Sequence, residues 1–464
     1  MHRQPEGITR RQILGNRLIG VAAIVLPSAL LVSACNDADS RTRLSTSVTT
    51  TTTAQARGPV TDGTSAVDGM RGVTPGAAVS RDFRDRLHAI APKLDTLSGA
   101  AEGYDAVVIA ALAAETAVSD APDKIAARIV DVTTSGDGCA SFAACRQSAG
   151  LRRDFDYQGE SGQIHLLPDG DPATSPFGIV EFNASGALSV TGSTDGAVRR
   201  ADRPDPPPVT AAGAAADGAI RIATLLPGFG GTRPSAVAAE AGVRLAVDEI
   251  NGSVGVLGEP IDLVDDPLAS ADELPDDATV SAAASELISA GVDVVIGGAS
   301  YDIDRVAVPM LIQAGVVVIS PLDTARVLST IADNGRFFRL APPTDVIGTV
   351  LGHLVTGDGL ISVGLATGAG DEDLDLAADV AAAIEDSGGR IVLTSTLSPG
   401  IPAETVAQQI VDSGVQAVVV IASTDQAAAI IRAITTSIAP DRTIALYGTA
   451  DNMNEELATL AGSR

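Results

Sequence analysis

The chain of 464 residues has no tryptophan, and aromatic residues make up only 3% of it. That removes the usual stacking platforms for bases and sugar rings. Four histidines and three cysteines leave little material for a metal site. Positive charge is also scarce: 31 Lys and Arg stand against 58 Asp and Glu, a net charge of −27. So acidic a surface repels phosphate backbones and anionic lipid, which excludes a general nucleic-acid binder. The common catalytic signatures are missing too. There is no Walker loop, no HExxH and no GxSxG, and the glycines of 227–231 (PGFGG) have the wrong spacing for a dinucleotide loop. No nucleophile–base pair stands out, so an enzyme is the least supported class and no cofactor is expected. What is present is apolar. Hydrophobic residues make up 45% of the chain, enough to exclude a wholly disordered one. At about 100–200 residues per domain, the length has room for two or three domains.

The first 35 residues read as an address. Residues 9–15 (TRRQILG) are basic, 18–31 are apolar, and Val32, Ser33, Ala34 and Cys35 follow. A basic start, a short apolar core and a small-residue cleavage site make an export signal. The apolar run is broken by Pro27 and is short beside the roughly 20 residues of a membrane span. Its ending, LVSAC, resembles a bacterial lipobox, in which Cys35 is diacylated and becomes the mature N-terminus. An ordinary signal peptide with an incidental cysteine is the alternative. Arg10 and Arg11 resemble the twin-arginine export motif. Ile13 stands where that motif prefers Phe and Gly15 where it often has Lys, so the general secretory route stays open. Either route leaves the mature protein outside the cytoplasm, held to the membrane by lipid alone.

Two segments cannot bury enough apolar surface to fold. Residues 36–65 are rich in Ser and Thr and read as a flexible tether. Residues 201–217, with Pro204, Pro206, Pro207 and Pro208, read as a linker. Two folded blocks remain, 66–200 and 218–464. The second alternates cleanly. Short β-branched runs at 220–226, 261–264, 292–297, 316–319, 361–366, 390–394, 417–421 and 443–447 are separated by helix-length stretches such as 236–250 and 374–387. This pattern predicts an α/β fold of parallel sheets covered by helices on both faces. The first block offers one strong helix, 105–117, with Val107, Val108, Ala111 and Leu112 as its apolar face. Strand-like pieces follow near 164–167 and 179–182.

Residues 218–464 resemble the periplasmic binding proteins of the leucine/isoleucine/valine type, the type 1 substrate-binding components of ABC importers. The matching segments run in family order: 220–227 (IRIATLLP), 242–251 (GVRLAVDEIN), 256–260 (VLGEP), 293–300 (DVVIGGAS), 318–324 (VISPLDT) and 337–345 (FFRLAPPTD). The first block resembles the last third of the same family, through 103–106 (GYDA), 156–162 (DYQGESG) and 168–172 (PDGDP). The chain stops at 457–464 (LATLAGSR), where the family continues with a strand and a Phe-containing helix; residues 69–83 (GMRGVTPGAAVSRDF) supply that continuation. Read as 218–464 followed by 66–200, one whole binding protein results with nothing duplicated. The expectation is a circular permutation, the old termini being joined through 201–217, which spans up to roughly 56 Å. The competing reading is two incomplete halves completed by partner chains or by swapping.

The resemblance implies two Rossmann-like lobes joined by three crossing segments, with a ligand in the cleft and closure by hinge bending. Lobe one is expected at about 218–342 plus 80–150. Lobe two is expected at about 344–462 plus 69–79 and 151–200. Residues 65 and 464 should then lie close together. In amino-acid-binding relatives a Ser and a Thr hydroxyl of lobe one hold the ligand's carboxylate and ammonium. Those positions match Ser300 and Thr324, both just beyond apolar strands, where backbone N–H groups favour an anion. For Ser300 the plainer reading is a helix N-cap. Asp323 stands where the family has a small neutral residue; it either favours a cationic ligand or faces solvent, and solvent is the expectation. Phe229 or Tyr301 is the candidate wall. The family's lobe-two aromatics are absent from 367–371 and 423–425, and Asp451 is the best candidate for meeting an α-ammonium.

Cys139 and Cys145 enclose five residues and should pair outside the cytoplasm, which in the chain-entropy model stabilises by roughly 2–3 kcal/mol. With no further ligand nearby they do not suggest a metal. His165 reads as structural. The expected function is capture of a small polar solute, an amino acid or related amide, for an ABC permease, by a monomer. The alternative is a sensor or scaffold of the cell envelope that keeps the fold without transport.

Overall fold

Val294–Gly297 and Ala417–Ile421 are buried at every residue, as strands covered on both faces must be. The computed structural model describes residues 63–198 and 218–463, apart from 77, 95, 230–232, 399, 440 and 441. The export signal with Cys35, nearly all of the 36–65 tether and the 201–217 linker lie outside the described residues. In chain order the first block forms β1 (Arg71–Pro75), α1 (Arg81–Ile90), α2 (Ala100–Ala117), α3 (Pro122–Ile129), β2 (Asp137–Cys139), α4 (Phe142–Gly150), β3 (Phe155–Gly159), β4 (Gly162–Gln163), β5 (Thr174–Phe182) and β6 (Leu188–Ala197). The second begins with β7 (Arg221–Leu225), α5 (Arg233–Asn251), β8 (Asp262–Val264), α6 (Asp277–Ser289), β9 (Val294–Gly297), α7 (Tyr301–Gln313), β10 (Val317–Ser320) and β11 (Phe337–Arg339). It ends with α8 (Thr344–Gly357), β12 (Ser362–Thr367), α9 (Asp371–Asp386), β13 (Arg390–Thr396), α10 (Ala403–Ser413), β14 (Ala417–Ile421), α11 (Thr424–Ser437), β15 (Ala445–Gly448) and α12 (Glu455–Ala461).

Lobe one is a five-stranded sheet in the order β11-β10-β9-β7-β8, parallel throughout. One face packs on α1, α2, α3 and α5 through Ile222, Val294, Ile296 and Ile319. The other packs on α6 and α7 through Ala223, Leu225, Val295 and Val318. Lobe two is a seven-stranded sheet in the order β13-β12-β14-β15-β1-β5-β6. Helices α8 and α9 cover one face, and α10, α11 and α12 the other. Both blocks build both lobes. β1, near the start of the described chain, pairs in parallel with β15 near its end (Arg71↔Tyr447) and antiparallel with β5 (Val73↔Ile179). Ser65 and Ser463 form an antiparallel bridge, and Ala66 N–H donates to Gly462 O at 2.8 Å.

The described chain changes lobe three times: between β1 and α1, at 167–173 before β5, and at 340–343 after β11. Two of these crossings are tied together. The Arg339 guanidinium, fully buried, pairs with the buried carboxylate of Asp171 and donates to Ala325 O at 2.8 Å. Arg339 N–H also donates to Gly170 O at 3.0 Å. Gly170 has φ +83, and a Cβ there would stand 2.1 Å from Phe337 O, so no other residue fits this approach.

Several expectations are corrected. Residues 164–167 form no strand; Leu166 makes only an isolated bridge to Pro172. Residues 151–167 belong with lobe one, because Phe155, Tyr157, Ile164 and Leu166 pack in its core. Helix α2 starts five residues before the expected 105, and Ala100–Ala114 is buried on nearly every side. It runs between α5, α3 and α4, so its burial has no stripe to show.

Candidate functional site

The carboxyl ends of the lobe-one strands gather most of the candidate residues. β9 ends at Gly297, and Gly298 (φ +101) turns the chain. A Cβ on Gly298 would stand 2.2 Å from Ser320 Oγ and 2.8 Å from Asp304 Oδ2. The glycine therefore lets α7 start close over the end of β10. Ser300 occupies the N-cap position of α7, but its hydroxyl makes no capping bond. The backbone of Ser300 does that work, its carbonyl accepting from Ile303 and Asp304 N–H, both at 3.1 Å. The half-buried Ser300 hydroxyl thus stays available at a helix N-terminus. Tyr301 and Phe229 are partly buried against the same apolar cluster under α6 and α7.

The β10 end supplies Asp323 and Thr324. Ser320 Oγ donates to Gly298 O at 3.3 Å and accepts from Asp323 N–H at 3.1 Å, which stitches the two strand ends together. Thr324 is half-buried, and its carbonyl accepts from Thr344 N–H and Thr344 Oγ1 at 2.9 and 2.7 Å. It is thereby anchored to the crossing segment that starts α8. Asp323 does not face solvent, against expectation: it is only 5% exposed. Its Oδ1 accepts from Ala325 N–H at 2.6 Å, which turns the carboxylate inward. There it meets Asp304, only 1% exposed in the first turn of α7. Burial first, and then the charge and hydrogen bond of Asp323, push the Asp304 carboxyl well above the usual carboxylate range.

Lobe two faces this rim with acids of its own. Glu372 and Asp373 open α9, and Asp451 follows β15. The Asp451 carbonyl accepts from Thr424 Oγ1 at 3.0 Å and Asn454 Nδ2 at 3.1 Å. Crowding by the surrounding chain raises its carboxyl above the usual carboxylate range. Glu372 is pushed up to about 7 by the same crowding and by the charges of Asp323, Asp451, Asp302 and Asp373. Asp302 and Asp323 belong to lobe one, so the two rims stand within electrostatic reach. Asp304 and Glu372 were not singled out in the sequence, where first-turn acids read as ordinary partners of the helix dipole. Cys139 and Cys145 lie apart from these residues, on β2 and α4, at disulfide distance with Cα atoms 5.4 Å apart. His165 is exposed on the chain leaving β4.

Among the described residues no group of acids, histidines and cysteines is arranged to hold a metal, and no helix is long and apolar enough to cross a membrane. A lobe with a parallel sheet and a lobe with a mixed sheet thus turn polar side chains at their strand ends toward one another. The family model for periplasmic binding proteins matches residues 219–463. The chain belongs to the periplasmic binding protein family. Family membership places this periplasmic binding protein outside the cytoplasm. No curated protein matches the sequence.

Several solved structures are similar. A putative branched-chain amino acid ABC transporter from Rhodospirillum rubrum is 24% identical over 53% of this chain and 68% of its own, with a TM-score of 0.42. The branched-chain amino acid transporter substrate-binding protein LivJ from Streptococcus pneumoniae, in complex with isoleucine, is 26% identical over 52% and 67%, TM-score 0.42. A solute-binding protein from R. palustris, in complex with benzoate, is 20% identical over 51% and 63%, TM-score 0.41. The match thus spans about two thirds of the length of these relatives.

Proposed function

We propose that this protein captures a small polar solute of the amino-acid and amide kind and delivers it to an ABC permease. The observation that carries the reading is the convergence of Ser300, Asp323 and Thr324 at the carboxyl ends of β9 and β10, the edge where open α/β sheets hold ligands. The Ser300 hydroxyl, unused in capping, and Thr324, anchored through its backbone, hold the solute from lobe one. Tyr301 and Phe229 form the apolar wall. Asp451 and Glu372 complete the contact from lobe two, so a solute that touches both rims favours the closed state.

The remaining parts of the reading rest on sequence and topology. Cys35 carries a lipid anchor after export, by the twin-arginine or the general route. Cys139 and Cys145 form a disulfide. The chain is a circular permutation that folds as a monomer, completed in cis. The neighbouring positions of β1 and β15 and the Ser65–Ser463 bridge support that order.

A thermal-shift screen against amino acids, amides and small carboxylates tests the function, because a tight solute stabilises by mass action. At least one solute is expected to raise Tm. Ser300→Ala and Thr324→Ala should each weaken its binding without unfolding the protein. A hydrogen bond to a charged group contributes about 1.5–3 kcal/mol, so each loss is about tenfold or more in Kd. Unchanged affinity in both variants, measured by calorimetry, places the pocket elsewhere.

A further inference from the structure

Carboxylates in the first turn of a helix are ordinary, and Asp302, Glu372 and Asp373 by themselves point to no ligand. The Asp304–Asp323 pair is different. Both side chains are more than nine-tenths buried. Asp304 Oδ2 and Asp323 Oδ2 accept from no donor among the described residues. A satisfied acid on the same rim shows the contrast: Asp266 accepts from Leu226 N–H at 2.8 Å and Leu268 N–H at 2.6 Å. The arginines near the pair are engaged elsewhere. Arg305 pairs with Asp277, Arg326 with Asp379, and Arg339 with Asp171. The charge of the buried Arg339 guanidinium is felt at Asp323, but its hydrogen bonds go to Asp171 and Ala325 O, so among the described residues no donor reaches the two free oxygens, an arrangement that is costly unless something else supplies one.

We propose that the solute of this cleft is a small amine of net positive charge, whose ammonium group lies against the Asp304–Asp323 pair of lobe one. This rests on reading the cleft as a solute site and narrows the class of solute. An ammonium donates to the free oxygens and adds positive charge beside two carboxylates in one contact. A neutral amino acid placing its carboxylate at Ser300 and Thr324 would instead set it beside Asp323. Closure adds a second reason. Drawing the lobes together brings Glu372, Asp373 and Asp451 toward Asp302 and Asp323, like charge against like. A solute with positive charge at both ends removes that repulsion only in the closed form, which is where binding must differ to drive closure.

The test compares 1,4-diaminobutane, lysine and leucine in thermal-shift and calorimetric titrations of the full chain and of Asp323→Asn. The two amines should raise Tm more than leucine, with diaminobutane first. Asp323→Asn should weaken diaminobutane at least tenfold while melting no lower than the parent when solute-free, because a buried carboxylate with an oxygen lacking a donor is gone. The inference is overturned if neither amine raises Tm, or if Asp323→Asn binds diaminobutane as the parent does. A shift with leucine alone sinks the cation inference and leaves solute binding standing, whereas no shift across the wider solute panel counts against both. If Asp323→Asn does not fold, Glu372→Gln at an exposed position decides the matter: at least a threefold loss of diaminobutane affinity is expected, and an unchanged value overturns the inference.

Discussion

Asp105 is fully buried on α2 and is met by four donors. Tyr157 O–H and Ser161 Oγ–H reach it at 2.6 Å, Ser161 N–H at 2.8 Å and Glu160 N–H at 3.0 Å. The sequence signposts 103–106 and 156–162 are therefore two sides of one hydrogen-bonded knot. Removing the carboxylate orphans buried donors, at about 1–3 kcal/mol for each group. Asp105→Ala should lose about 3 kcal/mol or more of unfolding free energy in urea titration, and Asp105→Asn clearly less. At this scale the sequence was a partial guide. Ser300 and Thr324 follow apolar runs, so their place at strand ends was legible. The inward turn of Asp323 was not, because it depends on Ala325 N–H, on Ser320 and on the room left by Gly298, which are contacts without a sequence signature.

Helices α2 and α5 show how much of an element the sequence reveals. Their existence follows from long Ala-rich runs, and the second-block strands follow from β-branched runs, most to within two residues. The packing of α2 was hidden. A Cβ on Gly103 would stand 2.3 Å from Ala239 O, and one on Gly242 1.9 Å from Ala100 O, so the two backbones touch at reciprocal glycines. Either glycine carrying a side chain forces the helices apart. Gly103→Val is expected to cost about 1–3 kcal/mol by overpacking, read as a lower Tm with unchanged far-ultraviolet circular dichroism. β6 escaped notice for a different reason. It is the outer strand of its sheet, its sequence LSVTGSTDGA is polar and mostly exposed, and an edge strand needs no apolar run.

For the whole molecule, the strand–helix alternation indicated an α/β fold of helix-covered sheets, and the family resemblance implied the two lobes and how they interleave. The exact meeting of β1 with β15 needed coordinates, since a five-residue strand carries little pattern of its own. Residues 218–464 alone leave the β15 edge unpaired and the α2 face of lobe one bare, so this fragment should aggregate on expression. The rejoined order 218–464 followed by 66–200 should instead yield a soluble monomer by light scattering, with the solute preference of the parent. The position of β1 also sets a timetable. It is synthesised 374 residues ahead of the strand it lies beside in parallel (Arg71 against Ala445), an interval of about 20–75 s at the usual 5–20 residues per second. β5 and β6 are made early as well, but the sheet that receives them is among the last parts to leave the ribosome. Lobe one has all its strands well before then, and lobe two can close only when translation is nearly over. A nascent chain with this topology keeps the middle strands of a sheet waiting, and its maturation belongs to the moments after release.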